Sequence, residues 1–246
     1  MLLENPPDPF FWARMRGMKG RRRLIVPWLG PDDPFPPVRT ALAHPNGLLA
    51  VGRTLAIPTL LDAYSRGIFP WFSEEEPVMW WSPDPRMVLV PGELHVSRSL
   101  GRRLRTGGYD IRLDTAFDRV IRACAAPRAS GEGTWIDERM IRAYVRLHAA
   151  GYAHSVETWM DGELAGGLYG VAIGRAFFGE SMFARRTDAS KLALVALVRQ
   201  LECRRFGLID CQMGTAHLAS FGAREIPRSE FTRALRDLVE QPAAWG

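Results

Sequence analysis

Lysine is almost missing from this sequence of 246 residues. It occurs only at Lys19 and Lys191, although lysine and arginine together number 32. The formal net charge of +5 is therefore carried by arginine. A positive balance of this size favours an anionic partner only mildly. The planar guanidinium group suits phosphate recognition, while codon bias in the genome would produce the same composition without any function.

Cysteine is also scarce, with only Cys124, Cys203 and Cys211. An odd number of cysteines without metal-ligand spacing argues against a disulfide framework and against a cysteine-based metal site. The pattern is typical of a reducing compartment, so we expect a cytoplasmic protein. The histidines show no HExxH or similar metal pattern either, and we expect them to be structural and no metal to be bound. They are His44, His95, His148, His154 and His217.

Long apolar runs are missing as well, since none reaches the roughly 18 residues that a membrane-spanning helix requires. The apolar segment 24–29 is shorter than the roughly 7 residues of a signal-peptide core. We therefore expect neither a signal peptide nor a membrane segment. With 47% hydrophobic and 24% charged residues, the chain has the composition of a globular protein long enough to bury a core.

The most informative stretch is 163–212, in which strand and helix patterns alternate. Residues 164–173 and 175–183 are apolar and broken by glycine, which predicts two strands. Residues 189–204 repeat leucine and valine at intervals of three and four, which predicts a helix. Residues 206–211 predict a third strand. This succession predicts a parallel pair of strands joined by a right-handed crossover.

Polar side chains lie near the ends of these strands, where open α/β sheets usually bind their ligands. Strand alternation places Asp210 and Gln212 on one side of their strand and Cys211 on the other. The same alternation places Glu180 and Met182 on a common side. Cys211 is expected to be a buried apolar residue and not a nucleophile.

Glu180 stands among phenylalanine and methionine in the sequence, and a carboxylate in such surroundings needs a partner. Arg185 or Arg186 could form an ion pair with it, which would give Glu180 a structural role.

Five further helices are predicted from apolar periodicity and capping residues, together with a hairpin that turns at residues 161–162. The helices cover 58–66, 97–106, 115–126, 137–150 and 227–240. The aromatic segment 67–72 is expected to be neither helix nor strand. A proline-bounded turn at 80–86 marks a domain boundary. We predict a divergent, poorly ordered extension at 1–30, a small N-terminal domain at 31–85 and a larger domain at 86–246.

Short motifs occur along most of the chain. They are PNGLLAVG (45–52), RGIFPWF (66–72), WWSPDPR (80–86), HVSRSL (95–100), GTWI (133–136), GYAHSVE (151–157), GGLYGV (166–171), FFGESMF (177–183), DASK (188–191), LIDCQ (208–212) and HLASFGAREIPR (217–228). In this order the sequence resembles the leucyl/phenylalanyl-tRNA–protein transferases, the bacterial N-end-rule aminoacyltransferases, over about residues 31–230. The resemblance implies an α+β protein: a small N-terminal α/β domain, then a GNAT-like acyltransferase domain with a central mixed sheet flanked by helices.

The resemblance also implies a reaction. Leucine or phenylalanine, and sometimes methionine, would pass from the ester of an aminoacyl-tRNA to the α-amino group of a protein that begins with Arg or Lys, marking it for degradation. The ester is already activated, so neither a covalent nucleophile nor a cofactor is expected. The amine only has to be neutral and well positioned. We expect a monomer.

Substrate-binding roles follow from the resemblance at five positions. Trp71 and Trp135 would line the site of the terminal adenosine, although each tryptophan taken alone could be a core or interface residue. Leu168 and Phe177 would form the pocket for the leucine or phenylalanine side chain. Glu180 would face the N-terminal Arg or Lys of the acceptor protein.

The resemblance assigns the chemistry to Asp210 and Gln212, which would polarise and orient the amine near the ester carbonyl. Taken alone, Asp210 could equally be a strand-end or loop-capping residue. Arg98, Arg102 and Arg105 share one face of a predicted helix and would hold tRNA phosphates without reading sequence. A solvated helix face is the alternative.

Two other functions remain open. A GNAT-type N-acetyltransferase would bind the pyrophosphate of acetyl-CoA on a glycine-rich turn at a helix N-terminus. The corresponding turn here, 184–189, has no glycine, and Asp188 would repel a phosphate. A tRNA-binding protein without catalytic activity is the third possibility, which only an activity assay separates.

Overall fold

The computed structural model describes residues 26–127, 136–242 and 245, and these residues form two sheets. The first sheet has four strands in the order β1-β2-β4-β3. Its strands are β1 Trp28–Leu29, β2 Leu48–Gly52, β3 Phe69–Pro70 and β4 Met79–Trp81.

The second sheet has seven strands in the order β11-β5-β10-β9-β8-β7-β6. Its strands are β5 Arg86–Leu89, β6 Asp110–Leu113, β7 Ala153–Met160, β8 Glu163–Ile173, β9 Ala176–Ala184, β10 Leu208–Gln212 and β11 Arg224–Ile226. Strands β9 and β10 run parallel, while the other neighbours in this sheet are antiparallel. The predicted parallel pair is therefore confirmed, and the predicted turn at 161–162 joins β7 to β8.

Six of the helices agree with the sequence predictions to within a few residues at each end, whereas α6, a helix of four residues, was not predicted. They are α1 Ile57–Ser65, α2 Arg98–Thr106, α3 Phe117–Ala125, α4 Glu138–Ala149, α5 Ala189–Cys203, α6 Ala216–Ala219 and α7 Arg228–Val239. Single turns of 3-10 helix occur at Val38–Thr40 and Pro91–Glu93. Helices packed on a mixed sheet confirm the α+β fold class. No helix of the described ranges is both long and apolar enough to cross a bilayer.

Two hydrophobic cores lie on opposite faces of the second sheet, because successive strand residues point to opposite sides. The first core contains Tyr169 and Phe178 and continues into the first sheet and helices α1, α3 and α4. The second core contains Leu168 and Phe177 and is built against α5. The first core thus joins the two sheets into one packed unit.

A β-bulge in β9 changes which core each residue enters. Tyr169 of β8 is paired with Ser181, but the next residue, Gly170, is paired with Gly179, so Glu180 is the extra residue. Met182 enters the second core, whereas the hydrogen-bond partners of Glu180 lie in the first. The prediction that Glu180 and Met182 share a side is therefore wrong, because the bulge breaks the alternation.

Two other expectations need correction. Residues 1–25 of the predicted extension lie outside the described residues, but Trp28–Leu29 pair with Val51–Gly52, so the first sheet begins before residue 31. The segment 67–72 contains strand β3, which pairs with Trp80 and Trp81. The domain boundary after residue 85 remains a proposal.

Candidate active site

Glu180 is buried at the bulge of β9 and is held by three hydrogen bonds. The hydroxyl of Tyr64 donates to Oε1 at 2.7 Å, and the hydroxyl of Tyr144 donates to Oε2 at 3.1 Å. Gln212 donates through Nε2 to Oε1 at 2.9 Å. The two tyrosine hydroxyls also lie in contact with each other, and because each has a single proton, one can donate to the other only when it does not donate to Glu180. The four side chains come from α1, α4, β9 and β10, so this network, which we call the Glu180 network, links the two sheets.

Burial dominates the electrostatics of the Glu180 network. It raises the pKa of Glu180 from 4.5 to about 7, although the tyrosine hydrogen bonds act in the opposite direction. Burial also raises the pKa of Tyr64 and of Tyr144 well above the ordinary value of 10.0. The tyrosines therefore stay protonated as donors, while Glu180 can gain or lose a proton near neutral pH.

The arginines expected as partners of Glu180 lie elsewhere. The guanidinium of Arg185 lies over the ring of Phe183, and Arg186 pairs with Asp161. The prediction of an Arg185 or Arg186 ion pair with Glu180 is wrong, because the bulge turns the carboxylate toward the tyrosines of the first core.

Asp210 forms a buried ion pair with Arg86. Nε of Arg86 donates to Oδ1 of Asp210 at 2.8 Å, and Nη2 donates to Oδ2 at 2.6 Å. The guanidinium lies between Phe69 and Phe231, 4.8 and 4.6 Å from the ring centroids. Both carboxylate oxygens thus accept hydrogen bonds from one arginine, a bidentate geometry that fixes the position of the carboxylate.

Gln212 connects this ion pair to the Glu180 network. Its backbone has φ +64°, and its N–H donates to Oδ1 of Asp210 at 2.9 Å. Its side-chain nitrogen reaches Glu180, while its Oε1 is buried and has no hydrogen-bond partner among the described residues. An unpaired buried acceptor beside an ionisable carboxylate is a suitable place for an N–H donor of a ligand.

The two parallel strands separate at this point. Within the described residues, β10 pairs with β9 only from Leu208 to Asp210, opposite Ala176 to Phe178. Strand β9 continues to Ala184 beside β8, and the side chain of Gln212 spans the gap to Glu180. We call this separation of β9 and β10 the strand gap.

Two tryptophans, Trp71 and Trp135, are predicted to line the adenosine site. Trp71 follows β3 and is buried, with its carbonyl accepting a hydrogen bond from Nε1 of Trp81 at 2.7 Å. Its own Nε1 is buried without a partner in the described part of the chain. Trp71 lies two residues from Phe69, which contacts Arg86. Trp135 lies outside the described residues.

The predicted apolar pocket residues, Leu168 and Phe177, lie in the second core, across the sheet from the carboxylate of Glu180. The structure therefore joins Glu180, Gln212 and Asp210 directly, but it separates Leu168 and Phe177 from them by the thickness of the sheet.

The predicted arginine stripe lies on α2. Arg98, Arg102 and Arg105 are all exposed, and none has an acidic partner in the described ranges. Ser97 caps this helix by accepting a hydrogen bond from the N–H of Leu100 at 3.3 Å, and Leu100 anchors the opposite face in the second core.

Comparison with known families identifies one family. A model of the "Leucyl/phenylalanyl-tRNA protein transferase" family matches residues 88–236, and a model of the N-terminal domain of the same family matches residues 53–84. The chain belongs to the leucyl/phenylalanyl-tRNA protein transferase family.

Family members from several bacteria match most of the chain. The leucyl/phenylalanyl-tRNA–protein transferase of Nitrosospira multiformis is 65% identical over 87% of this chain and 93% of the relative. That of Chromobacterium violaceum is 62% identical over 89% of this chain and 94% of the relative. Among solved structures, a GCN5-related N-acetyltransferase from Kribbella flavida is 13% identical over 67% of this chain and 58% of that one, with a TM-score of 0.32.

Three residues of the site in this family member escaped sequence reasoning. Tyr64 and Tyr144 read as apolar-face residues of their helices, and Arg86 as one arginine among many. A detectable signal existed in the carboxylates: a strand residue such as Glu180 or Asp210 that is buried must find donors. The sequence alone does not say which donors the fold supplies.

A second polar cluster in this family member lies away from the strand gap. Asp114, His148 and His154 offer possible metal-ligand atoms within 4.8 Å of one another. Asp114 Oδ2 lies 2.9 Å from Nδ1 of His154 and accepts from Nε1 of Trp245 at 2.8 Å, while Oδ1 accepts from the N–H of Ser155 at 2.8 Å. These hydrogen bonds connect the end of β6 with β7 and with Trp245, so we interpret the role of the cluster as structural.

Proposed function

We propose that this chain is an aminoacyltransferase that moves leucine or phenylalanine, and sometimes methionine, from aminoacyl-tRNA to proteins with N-terminal Arg or Lys, marking them for N-end-rule degradation. Family membership supports the reaction class. The observation that carries the proposal is the strand gap, where Gln212 offers an unpaired oxygen next to Glu180, a carboxylate whose pKa is about 7.

In this proposal Gln212 positions the acceptor amine. Its Oε1 accepts a hydrogen bond from the attacking α-amino group, while its Nε2 is held by Glu180. The amine attacks the ester carbonyl and forms the C–N bond, the ester C–O bond breaks, and the tRNA 3′ oxygen leaves as a hydroxyl that carries the proton lost by the amine. Glu180 is the group within the network whose pKa suits uptake of the amine proton near neutral pH. Asp210, locked by Arg86, acts through the backbone of Gln212 and not as a base.

The strand gap also explains how residues on both faces would serve one substrate. The leucine or phenylalanine side chain would enter the second core beside Leu168 and Phe177, and the ester would lie in the gap. The terminal adenosine would contact Trp71 and Trp135, where stacking contributes roughly 1–3 kcal/mol per base. Because Gln212 is fully buried without substrate, the proposal requires the wall of the gap to open when the donor binds.

The acceptor contact proposed for Glu180 is revised by the same geometry. The carboxylate of Glu180 is buried between Tyr64, Tyr144 and Gln212. In this proposal it contacts the N-terminal amine or the first side chain of an Arg- or Lys-starting protein, and that contact is made only through the gap. The proposal also includes phosphate contacts by Arg98, Arg102 and Arg105 and a monomeric state. It includes a cytoplasmic location, which the three free cysteines support.

An acetyl-CoA-dependent activity is the less supported alternative. Asp188 occupies the N-cap position of α5, with φ +62°, and its carboxylate pairs with Nζ of Lys191 at 2.8 Å. A carboxylate at this helix N-terminus opposes the negative charge of a pyrophosphate. Micromolar binding of acetyl-CoA in calorimetry would favour the alternative.

The deciding experiment is a transfer assay with Phe-tRNA and Leu-tRNA as donors and a peptide that begins with Arg or Lys as acceptor. We expect the aminoacyl group on the peptide N-terminus and none on a matched peptide with an acetylated N-terminus. Tight tRNA binding without any product would instead indicate a tRNA-binding protein without catalytic activity.

A further inference from the structure

Three arginines of the second sheet and its flanking helix are held on aromatic rings. The guanidinium carbons of Arg112 and Arg119 lie 4.5 and 5.0 Å from the ring centroid of Trp159. That of Arg185 lies 5.5 Å from the ring of Phe183. Stacking on a ring orients a guanidinium through its flat face and leaves the N–H donors at its edge free for other acceptors.

Arg119 and Arg185 are the least neutralised of these cations. Both are exposed, and neither has an acidic partner in the described part of the chain. Arg112 has one long contact, 4.0 Å, with the exposed Asp110. The structure thus holds cationic groups in place by packing while leaving their charge available.

Arg119 and Arg185 line the same open cleft, which has a volume of about 360 Å³. Its other lining residues are Asp118, Arg122, Ala123 and Leu164. The single carboxylate, Asp118, is paired with Arg122 at 3.0 Å, and Arg122 also contacts Glu138 at 2.9 Å. The charge left over in the cleft is therefore positive, from Arg119 and Arg185.

The cleft lies at the same end of the sheet as the strand gap. Arg185 follows the last residue of β9, and β10, parallel to β9, ends at Gln212. Trp159 lies just before the turn at 161–162, and Gly166 near the start of β8 pairs with Ala184. The cleft and the strand gap therefore both lie toward the carboxyl ends of β9 and β10.

Helix α2, whose arginine stripe lies on another side of the helix, contacts the same hairpin from the opposite face through Arg103. Arg103 of α2 lies 4.0 Å from Sδ of Met160, which belongs to the second core, whereas the neighbouring Trp159 belongs to the first. Basic groups therefore flank both faces of the β7–β8 hairpin. This arrangement fits an elongated polyanion better than a single small anion.

We infer that the cleft lined by Arg119 and Arg185, with Arg112 beside it, is a second tRNA-binding surface that holds the phosphodiester backbone of the acceptor arm. The inference rests on the proposed function for the identity of the nucleic acid. The cleft and helix α2 would contact the RNA from two sides of the β7–β8 hairpin, so that the 3′ end of the RNA lies at the strand gap. Contacts to phosphate position the RNA and carry no sequence preference.

The test compares the Arg119→Ala/Arg185→Ala variant with wild type and with Arg233→Ala/Arg236→Ala, which removes two exposed arginines of α7. Each protein receives two donors: full Phe-tRNA and phenylalanyl-adenosine, which has no phosphate. We expect the KM for Phe-tRNA to rise about tenfold for the cleft variant, with the phenylalanyl-adenosine rate unchanged. For binding of uncharged tRNA, the slope of log K against log salt should become smaller in magnitude by about one to two. The α7 variant should match wild type.

An unchanged KM and salt slope for the cleft variant would overturn the inference, as would an equal loss with both donors, since the effect would then act through the structure of the site. An equal loss in the α7 variant would also overturn it, because any surface arginine would then suffice. If wild type transfers nothing from either donor, the proposed function fails, and anisotropy of labelled uncharged tRNA still decides the inference.

Discussion

The guanidinium of Arg86 holds both carboxylate oxygens of Asp210, although the two residues are 124 positions apart in the chain. Arg86 begins the second sheet and Asp210 lies near the end of its neighbouring strand β10. Neither residue has more than 1% of its side chain exposed. The ion pair therefore fixes β10 at the strand gap. It also positions Gln212, whose backbone N–H donates to Asp210.

Removing one partner of this pair should be more damaging than removing both. Arg86→Met leaves the Asp210 carboxylate buried without its cation, which should lower the free energy of unfolding by about 3–5 kcal/mol. The double variant Arg86→Met/Asp210→Leu should recover most of that loss but not the transfer activity. Urea denaturation measures both effects. A double variant no more stable than Arg86→Met would show that the pair contributes through packing on Phe69 and Phe231.

Glu180 should make stability depend on pH in a defined window. Its folded-state pKa of about 7 lies above the ordinary 4.5, so the folded protein binds its proton more tightly than the unfolded chain does. The favourable contribution is complete below pH 4.5, is lost as the pH rises toward 7, and stays lost above it. Glu180→Gln should remove this slope. The measurement is the difference in unfolding free energy between wild type and variant from pH 4 to 8, and a difference independent of pH would contradict it.

The tyrosine donors should tune the proton affinity of Glu180. Tyr64→Phe removes a hydrogen bond that lowers the pKa of Glu180, so the pKa should rise further and the acidic limb of the pH–rate profile should move to higher pH. Stability should fall by about 1–3 kcal/mol. Tyr169→Phe is the matched control, because its hydroxyl is buried without a hydrogen-bond partner in the described residues and its loss leaves no donor or acceptor unpaired. Equal shifts in both variants would argue against a role for the network.

The arginine stripe of α2 should act on tRNA through charge alone. Replacing Arg98, Arg102 and Arg105 by alanine should reduce the slope of log K against log salt by up to about 0.9 per lost phosphate contact. Phenylalanyl-adenosine should be used as efficiently as before. The salt series is measured by anisotropy against the Arg233→Ala/Arg236→Ala control. A slope identical to wild type would mean that the stripe is only a solvated helix face.

Local patterns predicted most of the elements of the second sheet and its helices. The repeat of leucine and valine located α5, and proline and glycine located the ends of α1. The short strands were missed or mispredicted, because strands of two to five residues carry too few residues to show alternation. They are β1, β2, β3, β4, β6 and β11. The family motifs identified Glu180, Asp210 and Gln212 as a group, and the structure joins them by hydrogen bonds.

The side on which Glu180 lies could not be read from the chain. Strand alternation is a local rule, and it failed because a bulge depends on how β9 pairs with β8. The choice of Tyr64 and Tyr144 over Arg185 and Arg186 followed from that single extra residue. The wrong partner and the wrong side predicted for Glu180 therefore have the same cause, the bulge in β9.

The sequence by itself determined the periodic helices, the strand–helix–strand unit and the family, because each depends on residues close together in the chain or on motifs read in order. Only the tertiary structure decided which groups satisfy the buried carboxylates and where the parallel strands part. Those outcomes depend on segments far apart in sequence, such as Arg86 and Asp210, whose contact exists only after the sheet has assembled.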